Sequence, residues 1–210
     1  MQAFAALLDG LIYTRSRDHK VRLIADYLST TPDPDRGWAL AALAGTLSIS
    51  TVKAAAIRAM AEERFDPMLF RMSRDYVGDT AETVALMWPD VSQDVVAPTV
   101  SEVIDVLSGT SRARAPAVLA ELMDRLDANG RYALLKLATG GMRVGISARL
   151  AKTAFGQAFG LSVDDVEEVW HALRPPYSEL FAWGEGKTER PDPADSAFFR
   201  PFMLAHPLED

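Results

Sequence analysis

The chain has 210 residues, half of them apolar and a quarter charged, with a formal net charge of −7 and no cysteine. Disulfides, thiolate metal sites and cysteine nucleophiles are therefore excluded, and His19, His171 and His206 show no metal-ligand spacing. No apolar run approaches the roughly eighteen residues of a membrane span, and Asp9 stands where a signal peptide would carry basic charge, so the expected compartment is the cytoplasm.

In chain order, nearly every segment reads as helix. Phe4, Leu7, Leu8 and Leu11 recur at helical spacing, followed by the basic stretch Tyr13-Thr-Arg15-Ser-Arg17. Val21, Ile24 and Leu28 mark a second helix that Pro32 and Pro34 stop, and Trp38, Leu40 and Leu43 open a third. Asp66-Pro67 is an N-cap followed by proline at the first helical position, and Gly78 ends that helix. Asp79 with Glu82 three residues on has the form of a capping box.

Further along, Gly109-Thr110-Ser111-Arg112-Ala-Arg114 precedes a helix with Pro116 near its start. Gly140-Gly141-Met142-Arg143-Val144-Gly145 precedes another, which Ser147 would cap and which carries Arg149 and Lys152. Ser162 with Asp165 opens a helix through Val166, Val169, Trp170 and Leu173, ended by Pro175-Pro176. No stretch alternates as a strand does. The expected fold is all-α, about a dozen helices in one globular domain over residues 1–186. Residues 187–210 read as an extended linker, broken by prolines and then apolar from Phe198 to Leu204.

The acidic total conceals a segregation of charge. Residues 109–153 carry 8 basic and 3 acidic side chains, whereas residues 1–108 carry 10 and 15 and residues 154–210 carry 4 and 11. A weak internal repeat accompanies this. Asp35–Gly45 aligns with Asn129–Thr139 at an offset of 94, and one residue of slippage then matches Leu47–Ser50 to Met142–Gly145. Two similar units presenting similar loops on one face would suit a two-stranded ligand.

Glycines flanking a basic residue let a loop press main-chain amides onto phosphate, and a helix N-terminus adds free N–H groups. Three basic loops carry glycine or hydroxyl residues ahead of a helix: residues 13–17, 109–114 and 140–145. Taken singly, each has a plainer reading as an ordinary cap with exposed arginines. Gly184-Glu-Gly-Lys-Thr188 is not a P-loop, because Phe181 stands where the first glycine is required. Trp88, Trp170 and Trp183 are expected in the core.

Gly140-Gly-Met-Arg143-Val-Gly145, with Ala151-Lys-Thr-Ala154 after it, resembles the N-terminal DNA-binding domain of ATP-dependent DNA ligases. The resemblance extends to Asp75-Tyr-Val-Gly-Asp79-Thr-Ala-Glu82, to Gly109-Thr-Ser-Arg112 and to Arg200-Pro-Phe-Met-Leu-Ala-His-Pro207, which is similar to the stretch leading into that family's nucleotidyltransferase domain. It implies a bacterial-type, pseudo-symmetric helical domain that grips nicked double-stranded DNA across the minor groove, in a clamp with the adenylation and OB domains. Carried over by position, Gly140, Gly141, Met142, Arg143 and Gly145 would enter or flank the minor groove. Gly109, Thr110, Ser111 and Arg112 would hold backbone phosphate. Arg15, Arg17, Arg149 and Lys152 complete the expected DNA-binding set.

The chain departs from the family by having Gly141 where a lysine is frequent. None of its five lysines stands in the Lys-x-Asp-Gly motif that takes AMP, so no catalysis and no cofactor are expected of this stretch. ATP and Mg2+ belong, on the resemblance, to the full-length ligase. A monomer with no membrane contact is the expected state. The competing class is a helical protein–protein scaffold that binds no nucleic acid.

Overall fold

The computed structural model describes residues 1–49, 52–89, 95–142 and 144–192. Among them the chain forms twelve helices and no strand. They are α1 (Gln2–Tyr13), α2 (Arg17–Thr30), α3 (Asp35–Leu43), α4 (Ala54–Arg64), α5 (Pro67–Val77), α6 (Thr80–Met87), α7 (Val100–Ser108), α8 (Ala115–Met123), α9 (Ala128–Thr139), α10 (Ala148–Phe159), α11 (Val163–Trp170) and α12 (Ser178–Gly184). No helix among the described residues is long and apolar enough to cross a membrane.

Local chemistry sets the boundaries. Asp66 accepts hydrogen bonds from the Met68 and Leu69 backbone, with Pro67 at the first position of α5, and Gly78 ends that helix at φ +80°. Asp79, Ser147 and Ser162 each accept from a backbone N–H three residues on, as Ser and Asp do at a helix N-cap. The α11 helix stops at Trp170, so Leu173 lies in the turn beyond it rather than on the helix face. Trp88 and Trp170 are buried, and Trp183 packs against the core.

The core is continuous. Phe4, Leu8 and Leu11 of α1, Ile24 and Leu28 of α2, Leu40 of α3, Leu134 and Leu137 of α9, and Phe155 of α10 all contribute fully buried side chains. Each such burial is worth roughly 1.5–3 kcal/mol. The α2 helix packs along α10, and α9 packs against α1 and α6.

The repeat has a structural counterpart. Both α3 and α9 end near a left-handed glycine, Gly45 at φ +74° and Gly140 at φ +68°, and each then leads through a loop into another helix. Both also carry a buried arginine. The Arg36 guanidinium donates to Leu28 O, and that of Arg131 to Met123 O, each eight residues back at or near the end of the preceding helix. Helix-face residues such as Trp38 and Tyr132 match at the offset of 94. The buried arginines and left-handed glycines match at 95, which places the glycine offset in the slippage read from the sequence.

Residues 187–192 do not leave the body at once. Lys187 N donates to Ala182 O at 2.9 Å, and the Arg190 guanidinium lies 2.6 Å from Glu168 Oε2 and 3.6 Å from Asp165 Oδ1, on α11. Residues 198–204, the apolar part of the expected linker, lie outside the described residues.

One helix is amphipathic with its apolar side outward. Met68, Leu69, Met72 and Tyr76 of α5 fall within about 100° of helix circumference, and each is more than half exposed, Tyr76 at 91%. Phe70 on the opposite side is fully buried.

Candidate nucleic-acid interface

The glycine loop between α9 and α10 is held at both ends. Gly140 caps α9 in the left-handed conformation, and Gly141 N donates to Lys136 O at 3.1 Å, closing the helix end. Val144 is buried, and Met142 and Ile146 pack half-buried against the core. Gly145 is left-handed at φ +66°. Ser147 then caps α10 by accepting from Leu150 N. Arg143 lies outside the described residues.

A lysine from the other end of the sequence fixes the loop. Lys20 Nζ, on α2, donates to Val144 O at 2.7 Å. A side-chain carbon on Gly145 would stand 2.9 Å from the same ammonium, the flexible end of a side chain that can shift, so it is the left-handed backbone that favours glycine there. The first basic cluster and the glycine loop, far apart in sequence, are therefore one surface. Arg15 and Arg17 stand exposed at the N-terminus of α2, where Ser16 accepts from His19 N, and Arg22 is exposed one turn further on.

The neighbouring stripe of α10 carries Arg149, Thr153 and Gln157 at four-residue spacing. Arg149 is exposed and lies 4.0 Å from Glu167 Oε1. Lys152 points the other way. It is 8% exposed, with its ammonium 5.3 Å from the Trp170 ring centroid, and burial lowers its pKa against the opposing influence of Glu167. Lys152 thus packs against Trp170 instead of standing on the exposed stripe with Arg149.

The loop at residues 109–114 forms a separate exposed turn. Thr110 Oγ1 donates to Val106 O, so its hydroxyl proton is engaged by α7. Arg114 N and Ala115 N both donate to Ser111 O, and no side chain caps α8. Gly109, Ser111, Arg112 and Arg114 are exposed, and neither arginine is ion-paired among the described residues. Helix α4 lies between the two places. Ala56, Ala59 and Met60 line a groove with Ala113, while Ala54 and Ile57 line another with Lys136 and Thr139.

The basic segment 109–153 does not form one patch. Arg131 is buried and donates to Met123 O, Trp88 O and Pro89 O. Arg125 pairs with Glu102, and Lys136 pairs with Asp79. Burial alone would raise the Asp79 carboxyl, but the Lys136 ammonium and the Glu82 backbone N–H outweigh it and hold it below the usual range. Exposed cations stand instead at the α2 N-terminus, on α10 and at residues 112–114, with others at Lys53, Arg58 and Arg71. Sequence reading missed Lys20 as the tie and Arg22 as part of the surface. Their signal was their closeness in sequence to the basic stretch 13–17, but only the fold supplies the loop that Lys20 meets.

No protein-family model matches the chain, and no curated protein sequence matches it.

Proposed function

We propose that the chain is a DNA-binding module of the kind found in ATP-dependent DNA ligases, gripping nicked duplex DNA through backbone and minor-groove contacts. The observation that carries this reading is the Lys20–Val144 hydrogen bond, which merges a cluster of exposed arginines with a glycine loop and a capped helix N-terminus. Such a surface supplies cationic side chains and main-chain N–H groups together, the combination that holds phosphates without reading bases. The two repeated units, each with its left-handed glycine and loop, suit a ligand with two strands. In this reading, adenylation with ATP and Mg2+ belongs to a neighbouring catalytic domain, and the module itself only holds the duplex.

The test is binding of a nicked duplex, followed by fluorescence anisotropy between ~50 and ~200 mM salt. Each phosphate contact contributes about −0.9 to the slope of log K against log salt. Binding that ignores salt, or its absence at low salt, counts for the second reading, a protein-docking scaffold. The outward apolar face of α5 favours that reading.

A further inference from the structure

We infer that the groove between α2 and α10 is a phosphate subsite, seating one phosphodiester of a bound strand between Arg17 and Arg22. The inference rests on the DNA-binding reading and extends it to residues outside the three basic loops. The groove has a volume of about 240 Å3 and is lined by Arg17, Asp18, Val21, Arg22, Thr153 and Gln157. Val21 is buried and forms its floor.

Both arginines are exposed, and neither is ion-paired among the described residues. Asp18 is the one carboxylate in the lining, so the groove carries a net single positive charge. Asp18 also sits in the first turn of α2, where the helix N-terminus offsets part of its charge. The exposed Gln157 carboxamide supplies an N–H donor from the opposite wall. The Thr153 hydroxyl donates to Arg149 O and serves as wall only.

Placement favours a strand over an isolated anion. Arg17 and Arg22 flank Val21 and are separated by about 7.5 Å along the helix axis, while Lys20 projects from another side of α2. Lys20 holds Val144 O, so the groove and the glycine loop are mounted on one packed helix pair. A strand that runs from the loop along this helix pair would find a second cationic seat on the same support. Arginine suits that seat because its planar fork binds phosphate oxygens in pairs.

The experiment compares wild type, Arg22→Ala and the control Arg71→Ala, whose side chain is exposed on α5. Binding to nicked duplex is measured across the same salt range, with melting temperature recorded for each protein. Arg22→Ala should flatten the salt slope by about 0.9 and weaken binding about tenfold at ~50 mM salt. Its melting temperature should not move, and Arg71→Ala should match wild type.

Independently of DNA, pyrophosphate titrated into the free protein should shift the Gln157 side-chain amide resonance in wild type and leave it still in Arg22→Ala. If wild type fails to bind duplex, the DNA-binding reading falls, while the pyrophosphate response still decides the groove. If wild type binds duplex but Arg22→Ala keeps its affinity and slope and Gln157 ignores pyrophosphate, the subsite is wrong and the DNA-binding reading stands. A Gln157 response to poly-glutamate without one to pyrophosphate also overturns the phosphate assignment.

Discussion

Lys20 Nζ and Val144 O are 2.7 Å apart although 124 positions separate them in the chain. This contact ties the α2 helix to the loop before α10, and it holds the ammonium 2.9 Å from where a side-chain carbon on Gly145 would stand. Gly145→Ala should cost about 1–2 kcal/mol for its left-handed backbone, plus the displacement of Lys20. Lys20→Met should cost about 1 kcal/mol, the net worth of one hydrogen bond. In the double variant the steric part of the alanine penalty disappears, so the two effects should sum to less than their separate values. Urea denaturation of the four proteins measures this, and strict additivity would show that the clasp does not form in solution.

Arg131 should behave as a core residue in spite of its charge. It is 2% exposed and donates to three backbone carbonyls, those of Met123, Trp88 and Pro89. Arg131→Ala leaves these acceptors without a donor and opens a cavity, so it should destabilise by about 3 kcal/mol or more. Arg114→Ala, at an exposed position, should stay within about 0.5 kcal/mol of wild type. Equal stability of the two variants would contradict the division between structural and surface arginines.

That division marks the limit of what the sequence makes legible. Caps at Asp66, Asp79, Ser147 and Ser162, and the stop at Gly78, are read correctly because each depends on atoms within a few residues. The left-handed glycine at 140 is local in the same way. The fate of a charge is not local. Arg125, Arg131, Lys136 and Lys152 look like part of a positive stripe, yet the fold turns two inward and pairs the other two with carboxylates. Arg36 is comparable: Asp33, Glu185 and the Phe181 ring surround it, and Glu185 is contributed from 149 positions away. Arg190 is a similar case, since it reaches back to α11 through pairs that no local pattern announces.

Lys152 gives a prediction with a definite sign. Burial lowers its folded pKa, so between that lowered value and the ordinary lysine value of about 10.4 the unfolded chain binds the extra proton. Stability then rises with pH across this window, because the unfolded state holds more protons there. Lys152→Met fills the same space without the charge. The variant should be at least as stable as wild type at neutral pH, should lose the alkaline rise and should bind DNA as before. A marked loss of DNA affinity at unchanged melting temperature would return Lys152 to the binding surface.

Arg143 is the side chain on which the DNA-binding reading depends most. Its neighbours are fixed: Val144 is buried, Met142 packs against the core, and the loop is closed by Gly140 at one end and by Lys20 at the other. The narrow minor groove of A-tracts concentrates negative potential and favours an inserted guanidinium. Arg143→Ala should therefore weaken binding to nicked duplex and abolish any preference of the wild type for A-tract flanks. Arg112→Ala should weaken binding uniformly across sequences and flatten the salt slope by about 0.9, as loss of a phosphate contact does. Neither change should alter helicity or melting temperature. Should Arg143→Ala melt earlier yet bind with unchanged affinity and sequence preference, the arginine supports the loop rather than the duplex. The glycine loop would then be a turn between two helices and nothing more.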